Sequence, residues 1–390
     1  MASVTFPARG AAAHVAATRA VTTVPWYCWL AAVSVTSAVV GVEWDISWHR
    51  SIGRDSFLTP AHIAIYLCGV LAGIFCGYLI LATTFHRTNL HNSSVSMWGF
   101  RGPLGAFLAS WGGVLMLTSA PFDDWWHGAY GLDVKVLSPP HVMLAIGILT
   151  VAAGSLVLLA GQKNRSPGRL IEFLFLYVGA LMMTAILVVS MDYLYVTMQH
   201  SGLFYRVLSM VAPAMLAALA LGSGRRWGAT TAAGVYTMLQ LGLIWILPLF
   251  PATPKLGPVF RQVTHFIPPE FPLLLLVPAA VLDTFWWHTK NWNLWRRALV
   301  SGLLFVAVAM AAQWPWSIFL ESEPARNAFF GMNYFDYLTP PTTYYARHLF
   351  TPIEKTPAAF WTEIGMAIAA AIVTSRLGLS LGLWFRQVRR

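Results

Sequence analysis

Charge is scarce in this chain. Of its 390 residues only 10% are Asp, Glu, Lys or Arg, while 57% are hydrophobic, against roughly 25% charged residues in a soluble domain. That deficit excludes a set of soluble domains and any disordered chain, and it marks an integral membrane protein. Cysteine is nearly absent as well. Cys28, Cys68 and Cys76 all lie in apolar runs, so a disulfide scaffold is excluded and small packing residues are expected. Also missing are a phosphate-cradling Gly-rich loop with Lys and Ser or Thr, a dinucleotide fingerprint, a haem-attachment cysteine pair and a serine nucleophile elbow. The formal charge of +10 comes without a basic helix or a block of five like charges, which argues against a nucleic-acid partner. Scattered positive charge in such a chain belongs to loops on the cytoplasmic side of a bilayer.

What the chain has instead is long apolar runs. Crossing a hydrocarbon core of about 30 Å takes about 20 residues of helix. Ten runs qualify, near 26–48, 60–83, 103–122, 140–161, 170–191, 204–222, 228–250, 269–287, 297–319 and 359–384. The expected fold is therefore an all-α, polytopic integral membrane protein of about ten transmembrane helices. Lysine and arginine concentrate in alternate connections, most clearly the short basic loops 162–169 and 223–227, which predicts both termini cytoplasmic and a multi-pass protein of the cell inner or plasma membrane. Five regions follow: a cytoplasmic tail (1–25), a first helical region (26–161), a helical bundle (162–319), a long Tyr-, Pro- and Asn-containing extracytoplasmic loop (320–358), and a last span with a basic tail (359–390). Trp125, Trp126, Trp286, Trp287, Trp314 and Trp316 fall near predicted span ends, where an aromatic belt is expected.

Within 26–161 one pattern occurs twice. Trp44, Asp45, Trp48, His49, Gly53, Asp55, Leu58, Thr59, Pro60 and His62 match Phe122, Asp123, Trp126, His127, Gly131, Asp133, Leu137, Ser138, Pro139 and His141 with one insertion. A duplicated two-helix hairpin explains the match. Asp at i and His at i+4 share one helical face, so Asp45 with His49, and Asp123 with His127, can close on one point. The second histidine of each copy, His62 or His141, follows a turn and a proline at the start of the next helix. A carboxylate and two imidazoles from an antiparallel pair make a three-ligand site with open positions. The competing reading is structural, with these groups capping the loop or pairing with Arg50 and Arg54. Six ionisable groups repeated in register near a membrane each cost about 2.5–3.5 kcal/mol on insertion scales, and a bound cation compensates them. Asp55 and Asp133 are alternative carboxylates or partners that orient a ring, and Asp124 can replace Asp123.

On these residues, region 26–160 distantly resembles the C subunit of the particulate methane and ammonia monooxygenases, the copper membrane monooxygenases. Asp45, His49 and His62 are similar in spacing to one metal triad of that subunit, and Asp123, His127 and His141 to its other copper site. There the family's first ligand is Asn, so Asp123 makes the second site of this chain more anionic. The resemblance implies copper as the metal, with zinc as the alternative, oxygen activation on a small apolar substrate, companion monooxygenase subunits, and a homotrimer or hetero-oligomer with its metal sites toward the extracytoplasmic face.

Two other function classes remain. A membrane copper- or zinc-handling permease or chaperone-like protein would continue its pathway through polar or sulfur groups in mid-span, for which Met182, Met183, Met191 and Met198 are candidates. A haem protein would use His62 and His141 as axial ligands and leave the aspartates unexplained. Asp192 with His200, and Asp283 with His288, lack the triad spacing, so loop capping is their expected role. Leu338, Thr339, Pro340 and Pro341, with Asp336 before and His348 after, read as a proline turn in preference to a third copy.

Overall fold

A computed structural model describes residues 23–53, 57–131, 138–255, 263–334, 350, 351 and 353–389. Ten α-helices run through it: α1 (Trp26–Ser51), α2 (Pro60–Thr84), α3 (Leu104–Tyr130), α4 (Pro139–Arg165), α5 (Arg169–Val189), α6 (Gly202–Ser223), α7 (Gly228–Ile246), α8 (Leu276–His288), α9 (Leu294–Leu320) and α10 (Pro357–Gln387). Among the described residues nine are long and apolar enough to cross a membrane, and the protein is an all-α polytopic membrane protein. A short hairpin, β1 (Val95–Met97) with β2 (Phe100–Gly102), sits between α2 and α3. Asp55, Asp133, most of the N-terminal tail and the 336–348 proline segment lie outside the described residues.

Two of the expected spans differ from the observed helices. The run at 269–287 is helical only over the 13 residues of α8, about 20 Å at 1.5 Å per residue and too short to cross alone. Pro268, Pro269 and Pro272 hold the stretch before it extended, because each proline biases the preceding residue away from helical angles. That stretch enters the bundle, where an unpaired amide would cost several kcal/mol in a lipid-like interior. Side chains satisfy it: Leu273 N–H donates to Tyr236 Oη on α7 at 3.1 Å, and Leu274 N–H to Gln313 Oε1 on α9 at 2.8 Å. Hydropathy registers the apolar run but not this broken geometry. The second difference is α3, which continues through Pro121 to Tyr130, eight residues past the expected end at 122. An internal proline removes one N–H donor without preventing the helix from resuming. The extension puts Asp123 and His127 on regular helix.

Pairs of antiparallel helices, α1 with α2 and α3 with α4, form one side of the bundle; α5 packs against α1 and α4, and α6 pairs with α10. Small residues set the closest approach. At Gly112 a Cβ would lie 2.5 Å from Val151 N and 2.6 Å from Gly147 O of α4, closer than any real contact. Gly112→Ala is therefore expected to push α3 and α4 apart, with a lower melting temperature. An unchanged thermal scan would show that the helices are not in such close contact. Cys28, Cys68 and Cys76 are fully buried and free, as expected of packing residues.

Basic groups collect at the end of the bundle away from the duplicated motif. Lys163 Nζ donates to Gly222 O at 2.6 Å, Arg386 Nε to Leu221 O at 2.5 Å, and Arg225 Nε meets Glu172 Oε2 at 2.7 Å. Arg376, inside α10, donates to Ser380 Oγ and lies over the Trp295 ring. The tryptophans divide in role. Trp125 and Trp287 are exposed as a belt requires, whereas Trp286 is buried with its indole N–H on Ser301 Oγ, and Trp314 stacks on His200.

Candidate metal centre

Each copy of the repeat is built by the same local device. In Leu-Thr-Pro-Ala-His the threonine is the N-cap of α2, proline is its first residue and histidine its third. Thr59 Oγ1 accepts from His62 N–H at 3.2 Å. In Leu-Ser-Pro-Pro-His, Ser138 Oγ accepts from His141 N–H at 3.4 Å at the start of α4. Proline at the first position has the required φ already and no N–H to lose, while Ser or Thr satisfies one of the orphan donors. The histidine is thus fixed in the first turn, facing back toward the preceding helix. The glycines match too. Gly53 and Gly131 follow the ends of α1 and α3 with φ of 87° and 84°, a backbone state that other residues resist.

These devices bring three side chains together in each hairpin. Between α1 and α2, Asp45 Oδ2 is 3.7 Å from His49 Nε2 and Asp45 Oδ1 is 3.3 Å from His62 Nε2. Between α3 and α4, Asp123 Oδ1 is 3.6 Å from His127 Nε2 and 3.4 Å from His141 Nε2. Donor atoms of Asp123, His127 and His141 all lie within 4.8 Å of one another, so a cation with ligand bonds of about 2 Å can touch all three. The Asp, His, His cluster of α3 and α4 is a site capable of coordinating a metal ion. Among the described residues only the α3–α4 cluster meets that limit; between α1 and α2, Asp45 Oδ1 is buried and accepts no hydrogen bond. His127 carries a further mark of a ligand. Its Nδ1 is 3.2 Å from Gly131 O, and a proton placed there to serve that carbonyl leaves the Nε2 lone pair directed at the cluster.

Both triads open into a single cavity of about 410 Å³. Its polar end carries the six candidate ligands. Its walls are apolar, from Val39, Val42, Ile65, Leu144, Ile148 and Val188 among others. The candidate ligands are half-buried apart from His49, the most open at 43% exposure. His62 and His141 each lie against their own aspartate, the arrangement of two triads and not of an axial pair.

Other candidates take structural roles. Asp283 accepts from Ala229 N–H, Thr230 N–H and Thr230 Oγ1 and so caps α7, while His288 is exposed. His200 is stacked between Trp314 and Phe350, with Nε2 3.0 Å from Trp314 O; burial depresses its basicity. Asp192 and Asp124 are exposed, and Met183 is fully buried in the core. Glu43, two residues before Asp45, points away from the triad and accepts from Gln240 Nε2 at 2.6 Å.

Sequence reasoning assigned no functional role to Arg50, Tyr195 or Glu270. Arg50 Nη2 donates to Tyr195 Oη at 3.4 Å beside the triads, with the guanidinium 5.6 Å from the ring centre. Burial raises the Tyr195 hydroxyl above its usual pKa, opposed by Arg50. Arg50 had the look of an ordinary loop charge; Glu270 had one signal, a lone acid inside an apolar, proline-rich run. The class the fold and site define is a polytopic membrane protein with a metal-competent Asp, His, His cluster. Comparison with protein-family models, curated proteins and solved structures found no match for this chain.

Proposed function

We propose that the protein is a copper-dependent membrane monooxygenase, or a subunit of one, acting on a small apolar substrate. The observation that carries this reading is the common cavity, in which two carboxylate–imidazole triads face one apolar chamber of about 410 Å³, the size of a small-molecule site. Asp45, His49 and His62, and Asp123, His127 and His141, would hold copper, which would supply redox chemistry for oxygen activation. The protein's own groups do the rest. The three donors of each triad would bind a cation from the helix side and leave the cavity side for reactants. Each aspartate offsets cation charge that apolar surroundings would otherwise make costly. The walls formed by Val39, Ile65, Leu144 and Ile148 bind a hydrocarbon by excluding water from it. The positive-inside distribution supports a reading in which this end of the bundle faces the extracytoplasmic side of the plasma membrane. Companion subunits and a trimeric assembly belong to the same reading, through the resemblance to the copper membrane monooxygenases.

Elemental analysis of protein purified without chelator tests the proposal. Two copper ions per chain are expected, with one lost in His49→Ala and the other in His127→Ala. Zinc in place of copper would favour a metal-handling protein. Metal content unchanged by either substitution would remove both sites from consideration.

A further inference from the structure

Behind the metal cavity lies a second, smaller one of about 100 Å³. The two share Ile46, Arg50, Val188, Met191 and Tyr195 as lining residues, so the Arg50–Tyr195 pair stands between them. Polar groups line the smaller cavity: Glu43, Gln240, Tyr236 and Glu270 stand in it together with that pair. At about 30 Å³ of liquid volume per molecule it has room for about three waters, and it offers the several polar partners that ordered water needs.

The two acids in it differ. Glu43 is buried and locked to Gln240. Glu270 lies on the extended stretch before α8 and lines the cavity, with Val196 N–H donating to its Oε2 at 2.7 Å. Charged and titratable neighbours surround Glu270 from each element around it: Arg50 and Glu43 from α1, Tyr195 from the connection between α5 and α6, itself beside Asp192, Tyr236 from α7, and Glu321 just after α9. A carboxyl group set among water, one cation and other acids is suited to exchanging a proton.

We propose that the small cavity is a hydrated proton annex of the metal cavity, with Glu270 as its proton-exchanging group. In each transfer the O–H bond of the Glu270 carboxyl breaks and an O–H bond forms on the adjoining water, which releases one of its own protons past Arg50 and Tyr195. The carboxylate left behind is held by Val196 N–H and faced by the Arg50 guanidinium until it takes up the next proton. A need for protons in the main cavity rests on the oxygenase reading above; hydration and exchange at Glu270 do not.

Infrared difference spectroscopy on the metal-free full chain in lipid nanodiscs separates the two. Between acid and alkaline buffer, the wild-type protein should show carboxylic-acid C=O intensity that disappears, part of it from other buried acids such as Glu321, and in D₂O the Glu270 component should shift within the mixing time. The wild-type spectrum minus that of Glu270→Gln, which keeps an oxygen acceptor for Val196 N–H, should isolate that component, and Glu270→Asp should restore one. Identical titrating bands in wild type and Glu270→Gln, or a Glu270 component insensitive to D₂O, overturn the proposal. On copper-loaded protein, proton uptake on reduction, followed with a pH-indicator dye, should slow by about tenfold or more in Glu270→Gln, given that positioned acid–base groups contribute about 10²–10⁴-fold. Glu270→Asp should recover part of the rate, and bound copper should be equal in all three. Equal uptake rates also overturn the proposal. A wild-type chain that binds no copper removes the oxygenase reading instead, while the infrared result still decides the annex.

Discussion

Asp123→Ala is expected to strip the metal from the hairpin of α3 and α4 and to leave that of α1 and α2 loaded; Asp45→Ala should do the reverse, and the double variant should bind none. The reason lies in the geometry. Asp123 Oδ1 is the group both histidines approach, at 3.6 and 3.4 Å, and it is the only anion among the three donors. Without it two neutral imidazoles would have to hold a dication against an apolar wall. The loss in affinity should exceed about 100-fold, the upper end of what altering a ligand's supporting partners costs. Asp123→Asn is the informative contrast, since it keeps an oxygen donor in the same place without the charge and should retain the metal more weakly. Competition titration against a chelator of known affinity measures all four variants. Equal affinity in Asp123→Ala and wild type would show that the carboxylate caps the loop and binds nothing.

The paired hairpins were legible because each part of the motif has a local cause. A four-residue step from Asp to His puts both on one helical face, and Ser or Thr, Pro and His three residues after the cap fix the second histidine in the first helical turn. Such rules act over a few residues, so the sequence exposes them without any knowledge of packing. The convergence of both triads on one chamber was not legible. It depends on how α1, α4 and α5 pack, and on Met191 and Tyr195 reaching the site from a connection some 50 residues beyond the repeat. Nor could hydropathy resolve the stretch before α8, where an apolar run that satisfies the length rule is kept extended by three prolines and bonded by Tyr236 and Gln313. Long-range pairing of that kind leaves only faint traces in a sequence: a tyrosine and a glutamine in the middle of apolar helices, each of which must have a partner there.

Glu321→Gln is expected to stabilise the protein at neutral and alkaline pH, by an amount that grows as pH rises. Glu321 follows the last turn of α9, is fully buried, and neither carboxylate oxygen accepts a hydrogen bond. Burial, then the like charge of Glu270, pushes its pKa up to about 9, opposed by Arg326. In the unfolded chain the same carboxyl ionises near the usual glutamate value of about 4.3. Between these values the folded protein holds a proton that the unfolded chain has released. Stability is therefore complete below the unfolded pKa and falls as pH rises toward 9, at up to about 1.4 kcal/mol per pH unit. Glutamine carries no titrating proton and removes that slope. Thermal scans of the detergent-solubilised protein from pH 5 to pH 8 should show the wild-type melting temperature falling more steeply than that of Glu321→Gln, with the curves diverging by about 5 °C or more if each kcal/mol is worth about 2–4 °C. Parallel curves would mean that Glu321 is ionised in the folded protein, with Arg326 neutralising it fully, and that its burial imposes no charge penalty.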